Sequence, residues 1–231
     1  MANETRAVRY RRHLLLPEMS GTMARWYARQ RGTPSQIATY REQAAKLTDG
    51  LQNGAEVLEV APGPGYFAIE IARLGHFKVT GLDISRTMVD IARENATRAG
   101  VSIDFRQGDS SIMPFADGSF DLIVCQAAFK NFRQPVSALD EMHRVLRQGG
   151  LVVIQDLNRE ASASDIDREV RRQQLDALNG FITKRILAGL RRRAYSKAQF
   201  EHLVAESSFH RCVTTTEGIG LEIRLEKGAS S

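Results

Sequence analysis

Three acidic residues stand at or near the ends of apolar runs in the first half of the chain. Glu59 lies in the run 57–60, Asp83 ends the next run, and Asp109 follows the third. The carboxyl ends of parallel strands meet at one edge of a sheet, so we expect these side chains to border a common crevice. Carboxylates at such an edge accept hydrogen bonds from hydroxyl and amino groups. The identity of the ligand that this edge would hold is left to the turn after the first run and to the motifs around it.

A turn rich in glycine and proline follows the first apolar run and opens a helix-like segment. Gly63 and Gly65 have no Cβ, so the backbone can approach a ligand closely. With Asp83 about 20 residues later, the turn fits the G-x-G-x-x-G/A fingerprint of dinucleotide sites. Against this, Pro64 has no N–H group for a pyrophosphate, and Glu59 places an anion beside the turn. An NAD-dependent reductase is therefore kept only as a remote alternative.

Alternating strand-like and helix-like segments surround these residues and predict the fold class. We expect an α/β fold with a Rossmann-like seven-stranded sheet, mostly parallel, and with helices on both faces. The link 217–220 between the last two strands is so short that it requires a C-terminal antiparallel hairpin. Such a hairpin is foreign to a doubly wound dinucleotide domain. The expected strands are 57–60, 76–82, 101–106, 120–129, 151–157, 211–216 and 221–226.

The helical segments divide the chain into one domain and two lids. We expect an N-terminal helical lid over 1–50 and a domain over 51–231, with a helical insertion at about 158–195 as the second lid. Apolar periodicity and capping residues predict the individual helices. They are 35–48 with Ser35 as cap, 85–99, 135–147 ended by Gly149 and Gly150, 164–179 with a Ser164/Asp167 capping box, 181–193 after a break at Asn179-Gly180, and 196–207 with a Ser196/Gln199 capping box.

Five motifs in order give the chain a resemblance to a known family. Residues 59–65 read E-V-A-P-G-P-G, Asp83 ends the second strand, and Gly108-Asp109 follows the third. The stretches M-P-F-A-D-G-S-F-D-L-I and E-M-H-R-V-L-R-Q-G-G come next. Over 55–157 the chain resembles the class I S-adenosylmethionine (SAM)-dependent methyltransferases, in particular their quinone-type and small-molecule subgroup. Ala61 replaces the first glycine of that family's E/D-x-G-x-G-x-G motif.

The resemblance implies SAM as the cofactor and gives roles to the acidic residues and the glycines. Gly63 and Gly65 would lie against the methionine portion, and Glu59 would hold its ammonium group or the adjacent turn. Asp83 would accept hydrogen bonds from both ribose hydroxyls, and Asp109 from the adenine amino group. The cofactor-binding set implied in this way is Glu59, Ala61, Gly63, Gly65, Asp83, Ile84, Asp109, Ser110 and Gln126.

The resemblance also implies how the adenine ring and the methyl position would be surrounded. Ile84, Ile112 and Met113 would sandwich the ring, with a backbone donor from Ser110. Gln126 would follow the fourth strand beside the methyl position.

Four further side chains are candidates for assisting the reaction. Lys130 and Asn131 follow the fourth strand, and His13 and Tyr27 belong to the N-terminal lid. Three of them have a structural alternative: Lys130 as an ordinary loop lysine, and His13 and Tyr27 as packing groups of the lid. Because SAM carries its own leaving group, a base is needed only when the acceptor arrives protonated. The catalytic residues therefore stay open among these four.

The net charge of +5 is concentrated in the two lids, which bears on the acceptor. Residues 1–50 hold nine Lys/Arg against four Asp/Glu, and residues 158–195 hold nine against five. We expect a small-molecule acceptor, aromatic or acidic, with solvated helix faces as the plain alternative. A nucleic-acid methyltransferase is the second alternative, because the same segments would form a footprint on RNA or DNA. No N/D-P-P-Y/F signature follows the fourth strand, which reads Q-A-A-F there.

Other features of the composition limit the expected metal content, location and membrane association. Two cysteines, Cys125 and Cys212, are too few for a disulfide framework or a metal cluster, so we expect no metal and a cytoplasmic location. No apolar run approaches the length of a membrane span, so we expect no membrane partner. A homodimer is allowed by the sequence but not indicated by any pattern in it.

Overall fold

A single sheet of seven strands organises the part of the chain described by the computed structural model, residues 21–172 and 177–228. The strands are β1 (Glu56–Val60), β2 (Lys78–Asp83), β3 (Asp104–Gln107), β4 (Phe120–Gln126), β5 (Leu146–Leu157), β6 (Val213–Glu217) and β7 (Gly220–Glu226). Their order is β3-β2-β1-β4-β5-β7-β6. β1 to β5 are parallel, and β7 lies antiparallel between β5 and β6. The expected α/β class with a C-terminal antiparallel hairpin is confirmed.

The described residues form eight α-helices. They are α1 (Gly21–Arg31), α2 (Pro34–Thr48), α3 (Tyr66–Arg73), α4 (Arg86–Ala99), α5 (Pro135–Val145), α6 (Ala163–Arg172), α7 (Ala177–Arg191) and α8 (Lys197–Ala205). Five of them pack on the sheet in two large apolar clusters, one per face: α2, α3 and α4 in one cluster, and α5 and α8 in the other. The central strands are therefore buried on both sides, which explains the near-continuous apolar run of β4.

Local capping chemistry sets the ends of the helices next to the crevice. The hydroxyl of Ser85 accepts from the N–H of Met88 and begins α4, and Gly100 ends it in the left-handed conformation. α2 begins one residue earlier than expected: Thr33, not Ser35, is the cap, and its hydroxyl accepts from the N–H of Gln36. Pro34 then occupies the first helical position, where its missing N–H costs no hydrogen bond.

The boundary between α5 and β5 differs from the expectation. The helix ends at Val145, and β5 begins at once and runs through both glycines that were expected to end the helix. The pairing of β4 with β5 shifts between Phe120↔Leu146 and Leu122↔Leu151, so the intervening residues form a bulge. Gly149 supplies the positive φ of +74° that the bulge requires.

β4 is also shorter than expected and ends at Gln126. Ala127 has a φ of +55°, which turns the chain out of the strand, and Phe129–Asn131 form one turn of 3-10 helix. This turn places the residues after β4 at the edge of the sheet.

The insertion is helical, but its helices are divided differently from the expectation. The hydroxyl of Ser162, not Ser164, accepts from the N–H of Asp165, whose carboxylate accepts in return from the N–H of Ser162. α7 runs through Asn179-Gly180, so no break occurs there. α8 has the expected capping box of Ser196 and Gln199.

The predicted N-terminal lid is described only from residue 21 onward, and residues 1–20 lie outside the described part. Tyr40, Ala44 and Leu47 of α2 belong to the same apolar cluster as β1 and α3. The division at residue 50 and the two lids remain predictions. Within the described residues, no helix has the length and apolar content that crossing a bilayer requires.

Candidate active site

One large cavity opens at the edge of the sheet where β1, β2 and β4 end. Its volume is about 1010 Å³, at the upper end of the range of roughly 300–1,000 Å³ for small-molecule sites. Eight of the nine predicted cofactor-binding residues line it, namely Glu59, Ala61, Gly63, Asp83, Ile84, Asp109, Ser110 and Gln126. Three of the four catalytic candidates line it too: Tyr27, Lys130 and Asn131. The fourth, His13, lies outside the described residues.

The glycine turn borders this cavity with its own N–H groups already occupied. Pro62 and Pro64 have no N–H, and each of the other three residues of 61–65 donates within the protein. The pairs are Ala61 N–H to the oxygen of Leu82 (2.8 Å), Gly63 N–H to Oδ2 of Asp83 (3.0 Å) and Gly65 N–H to the oxygen of Pro62 (3.0 Å). A phosphate site needs amides that are free to donate, so these residues do not form one.

Asp83 joins the turn to the helix that follows β2. It is 6% exposed, and its Oδ1 accepts from the N–H of Ser85 at 2.9 Å while its Oδ2 accepts from Gly63. The two oxygens of a carboxylate can each accept more than one hydrogen bond, and Asp83 lines the cavity, where a ligand could donate to it. The same side chain thus shapes the site and faces it.

The loop after β3 brings Asp109 and Ser110 to the cavity. Oδ1 of the exposed Asp109 accepts from both the N–H and the hydroxyl of Ser111, at 2.8 Å each, which fixes the carboxylate. Ile84, 40% exposed, offers an apolar surface in the same cavity. This combination suits a flat ring with an exocyclic amino group.

Two residues expected around that ring lie elsewhere. Met113 is 4% exposed and packs in the core cluster of β4 and α5, and its N–H donates to Oε2 of Glu141 at 2.6 Å. Ile112 is 77% exposed and does not line the cavity. The sequence pattern could not show which of Ile112 and Met113 faces inward, because the loop has no regular structure that would fix the direction of its side chains.

Gly65 is the one predicted cofactor-binding residue that does not line the cavity. Its φ is +77°, and a Cβ there would lie 2.7 Å from the ring of Phe105 and 2.9 Å from Cβ of Ala92. Glycine is required because the turn crosses over these two side chains. Gly63 differs, because a Cβ would meet only the ring of Tyr27, at 3.9 Å.

Glu59 is buried at the end of β1 and holds the start of α3. It is 3% exposed, and its Oε2 accepts from the N–H of Ala68 at 2.9 Å. Burial raises the pKa of Glu59 to about 8, with the charge of Asp83 adding to the rise and the hydrogen bond from Ala68 opposing it. The carboxyl group therefore carries its proton over much of the neutral range.

A row of amide and carboxylate groups connects the cavity to the far strands of the sheet. Nε2 of Gln126 donates to Oε1 of Gln155 at 2.8 Å and to Oε1 of Gln43 at 3.3 Å. Gln155 in turn donates to Oε2 of Glu222 at 2.8 Å. The amide of Gln126 is thereby held in one orientation at the wall of the cavity.

Lys130 forms a buried ion pair. Its Nζ lies 2.7 Å from Oδ1 of Asp156, and the two side chains are 5% and 6% exposed. The same ammonium donates to the oxygen of Ala127, and the N–H of Lys130 donates to Oδ2 of Asp156 at 2.9 Å. These contacts hold the turn after β4 against β5. Asn131, the neighbouring candidate, is exposed at the rim of the cavity.

The N-terminal helices bring three further residues to the cavity. Tyr27 and Arg31 lie one turn apart on α1, and the guanidinium of Arg31 lies 5.4 Å from the ring centroid of Tyr40 on α2. Burial raises the pKa of Tyr40 to about 12, and the charge of Arg31 acts in the opposite direction. Trp26, next to Tyr27 on α1, is 48% exposed and does not line the cavity.

Sequence reasoning missed several lining residues. They are Arg31, Tyr40, Tyr66, Met88, Arg133 and Arg193. The signal for Arg31 and Arg193 in the sequence was their membership of the two basic lids. Their position depends on how helices pack against the sheet edge, which no local pattern encodes.

Taken together, the cavity offers carboxylates, an amide and apolar walls, and its glycine turn offers no free amide. Such a set can hold the hydroxyl and amino groups of a nucleoside and leaves a second compartment beyond β4. Among the described residues, no group of three or more His, Cys, Asp and Glu side chains could hold a metal ion.

Comparison with known proteins agrees with this chemistry. The sequence model of a family described as "Methyltransferase domain" matches residues 58–154, from β1 to β5. A ubiquinone/menaquinone biosynthesis C-methyltransferase, UbiE, of Bdellovibrio bacteriovorus is 31% identical over 194 residues, covering 83% of this chain and 76% of the relative. A demethylmenaquinone methyltransferase of Deinococcus radiodurans is 41% identical over 99 residues, covering 42% of this chain and 41% of the relative.

Solved structures extend the similarity beyond the matched motifs. A SAM-dependent methyltransferase of Methanococcus maripaludis, itself described as putative, aligns with a TM-score of 0.70 at 20% identity, over 94% of this chain and 97% of that one. At this identity the likeness concerns the fold. The match to the Deinococcus relative spans less than half of that protein's length, whereas the match to the Bdellovibrio protein covers most of both chains. Fold, motif order and this long match agree that the chain belongs to the class I SAM-dependent methyltransferases, with quinone methyltransferases among its relatives.

Proposed function

We propose that the protein transfers the methyl group of SAM to a small-molecule acceptor by in-line displacement, with S-adenosylhomocysteine (SAH) as the other product. The observation that carries this proposal is the cavity at the carboxyl ends of β1, β2 and β4. It combines two carboxylates, Asp83 and Asp109, with a glycine turn whose N–H groups are all internally bonded.

The residues of the cavity fit SAM better than a dinucleotide. Asp83 is the acceptor for the two ribose hydroxyls, and Asp109 and Ile84 suit the amino group and the face of adenine. The turn lacks free donors for a pyrophosphate. Gly63 leaves room above the backbone for the methionine portion of SAM. We assign these residues to the cofactor, together with Ala61, Ser110 and Gln126.

Glu59 has a different part in this arrangement. Its carboxyl group accepts from Ala68 at the start of α3 and is largely protonated near neutral pH. A neutral carboxyl group can still support the turn through its hydrogen bond, but it offers no negative charge to an ammonium group. Of the two roles expected for Glu59, we therefore favour support of the turn.

When bound, SAM supplies a methyl group on a sulfonium, whose leaving group is a neutral thioether. The chain itself has to orient the acceptor, exclude water and, for a protonated acceptor, take up a proton. Lys130 is engaged with Asp156, so we assign it to positioning the turn after β4 and not to proton transfer. Tyr27 and Asn131 line the cavity without such a pairing in the described residues and remain the candidates for contact with the acceptor; His13 remains a candidate from sequence alone.

The names of the relatives guide the choice of acceptor. The Deinococcus protein is named for demethylmenaquinone and the Bdellovibrio protein for ubiquinone and menaquinone biosynthesis. We therefore propose an aromatic small molecule as the acceptor class. No observation favours a nucleic acid or a reductase reaction. The cytoplasmic location and the homodimer remain predictions.

The test is a transfer assay with SAM that carries a radioactive methyl group. The intact protein is mixed in turn with a panel of aromatic acids, phenols and quinols, and with total RNA. We expect label in a small aromatic product and an equal amount of SAH. Label in RNA, or turnover of nicotinamide dinucleotide without any methyl transfer, would refute the proposal.

A further inference from the structure

Apart from Arg31, which α1 brings to the cavity beside Tyr40, the charges that line the cavity are separated by sign. The acidic lining residues Glu59, Asp83 and Asp109 belong to the ends of β1, β2 and β3. The basic lining residues Lys130, Arg133 and Arg193 follow β4 or come from the end of the insertion. Lys130 is neutralised by Asp156. The compartment beyond the cofactor-binding residues therefore keeps an excess of positive charge.

Arg193 is the basic residue there that is both partly buried and without a counter-charge. It lines the cavity, and no carboxylate in the described parts of the chain lies within ion-pairing distance of its guanidinium. Arg133 is also without such a partner but is exposed at the rim. Withdrawing a charge from water is costly unless an opposite charge meets it, so Arg193 favours an anionic ligand in this compartment.

The backbone around Arg193 is held in place. The N–H of Arg159, just after β5, donates to the oxygen of Tyr195 at 3.1 Å, and its guanidinium donates to the oxygen of Arg192 at 3.0 Å. Ala194 is 2% exposed. Arg193 thus extends into the cavity from a segment whose backbone is fixed beside the exit of β5.

Aromatic rings form the wall next to Arg193. Phe132 and Tyr195 line the cavity and stand against Phe129, with ring centroids at 4.9 Å and 6.2 Å from its centroid. Phe129 is fully buried and packs in turn on Phe200, at 4.9 Å. The two wall rings are therefore backed by core residues. Aromatic walls with one charged group are the kind of lining that orients a planar ligand.

We propose that Arg193, Phe132 and Tyr195 form an acceptor subsite for a planar aromatic compound that carries a carboxylate. The guanidinium binds the carboxylate through charge-assisted hydrogen bonds, and the ring of the acceptor lies against the two aromatic side chains. This inference rests on the proposed methyl transfer and adds the acceptor's charge to it. The proposed subsite distinguishes this protein from an enzyme whose acceptor ring carries no ionised group.

The experiment measures acceptor binding to the complex of the intact protein with SAH. The probes are hydroxybenzoates and hydroxynaphthoates, each paired with its uncharged methyl ester, titrated by calorimetry. We expect at least one acid to bind tenfold or more tightly than its ester. Arg193→Gln should bring the acid to the affinity of the ester, and Arg193→Lys should restore part of the difference. Arg192→Gln is the matched control, because the neighbouring arginine is exposed and does not line the cavity.

The outcomes separate this inference from the function on which it rests. Failure of SAH to bind the wild type refutes the proposed function and the subsite with it. If SAH binds but every acid binds the complex with the same affinity as its ester, the carboxylate subsite alone is refuted. The same holds if SAH binds and neither acids nor esters bind. An acid preference that Arg193→Gln and Arg192→Gln reduce equally shows a general surface charge effect and also refutes it.

Discussion

A single carboxylate, Asp83, has two tasks that are usually divided between residues. It holds the turn through Gly63 and the start of α4 through Ser85, and it lines the cavity. Loss of this side chain therefore removes the carboxylate to which the N–H groups of Gly63 and Ser85 donate, together with the acceptor proposed for the ribose. The two effects are separable, because one is read from stability and the other from affinity.

Replacement of Asp83 by alanine should weaken binding of SAH about ten- to a hundredfold, as the loss of charge-assisted hydrogen bonds implies. The free energy of unfolding should fall by about 1–3 kcal/mol, because the N–H groups of Gly63 and Ser85 lose this acceptor. Calorimetry and urea unfolding measure the two quantities. Asp90→Ala, on the exposed face of α4, is the control and should leave both nearly unchanged. An unaltered dissociation constant in a folded Asp83→Ala variant would remove Asp83 from the site.

The pKa of Glu59 makes stability depend on pH in a defined direction. Burial raises it from the ordinary 4.5 to about 8, so the folded state holds a proton that the unfolded state releases between these values. The contribution of Glu59 to stability is therefore complete below about pH 4.5 and is lost as the pH rises towards 8. Above the folded pKa it changes no further.

Glu59→Gln should remove this dependence while it keeps an acceptor for the N–H of Ala68. The difference in free energy of unfolding, wild type minus variant, should fall between about pH 5 and pH 8 and then level off. Urea unfolding at several pH values gives this difference, in which the other titrating groups cancel. Parallel profiles for the two proteins would show that Glu59 is ionised throughout.

The buried pair of Lys130 and Asp156 should be far more sensitive to substitution than an exposed pair. Lys130→Met leaves Asp156 buried without its cation, which costs about 3–5 kcal/mol. The control is Lys78→Met, whose partner Glu56 lies 3.0 Å away but whose ammonium is exposed, and here we expect at most about 1 kcal/mol. Urea unfolding measures both. Equal losses for the two variants would contradict the pairing after β4.

At the scale of secondary structure, the strand-turn-helix unit of β1 and α3 depends on close packing below the turn. Gly65 and Gly75 have nearly the same φ, +77° and +75°, but only Gly65 has side chains within 3 Å of where a Cβ would lie. Gly75→Ala should therefore cost only the left-handed strain of about 1–2 kcal/mol. Gly65→Ala should add the cost of overpacking, about 1–3 kcal/mol more. Thermal or urea unfolding compares the two variants. Equal losses of stability would mean that the turn shifts to accommodate the Cβ and that overpacking adds no cost.

Patterns local in the sequence predicted most of the elements. The order of strands and helices, the C-terminal hairpin and the capping box of Ser196 followed from periodicity and caps, which depend on neighbouring residues. The predicted capping box at Ser164 was wrong because Ser162 has an equivalent acid three residues later, and the sequence alone does not rank the two. The extension of β5 was missed because the bulge depends on pairing with β4.

The site was predictable where it follows strand ends and not where it depends on packing. The carboxylates and the glycine turn stand at the ends of predicted strands, so topology alone brings them to one edge. The pairing of Lys130 with Asp156, by contrast, requires β4 beside β5, and the position of Arg193 requires the fold of the insertion. Contacts across the sheet and between lids and sheet carry no local signal.

At the scale of the whole molecule, the sheet divides the cavity into two chemically different parts. The ends of β1 to β3 supply carboxylates, and the segments after β4 and β5 supply aromatic rings and Arg193, which no carboxylate of residues 21–172 and 177–228 pairs. Helices α1 and α2 close one side through Tyr27, Arg31 and Tyr40. This arrangement suits a nucleoside cofactor beside a separate acceptor.

Calorimetric titration of the intact protein with SAH and, separately, with NAD⁺ tests this account most directly. We predict saturable binding of SAH with one site per chain and no saturable heat from NAD⁺, because the turn has no free amide for a pyrophosphate. Addition of NAD⁺ in excess should leave the affinity for SAH unchanged. Tight binding of NAD⁺ together with no binding of SAH would contradict the assignment of the cavity and the function built on it.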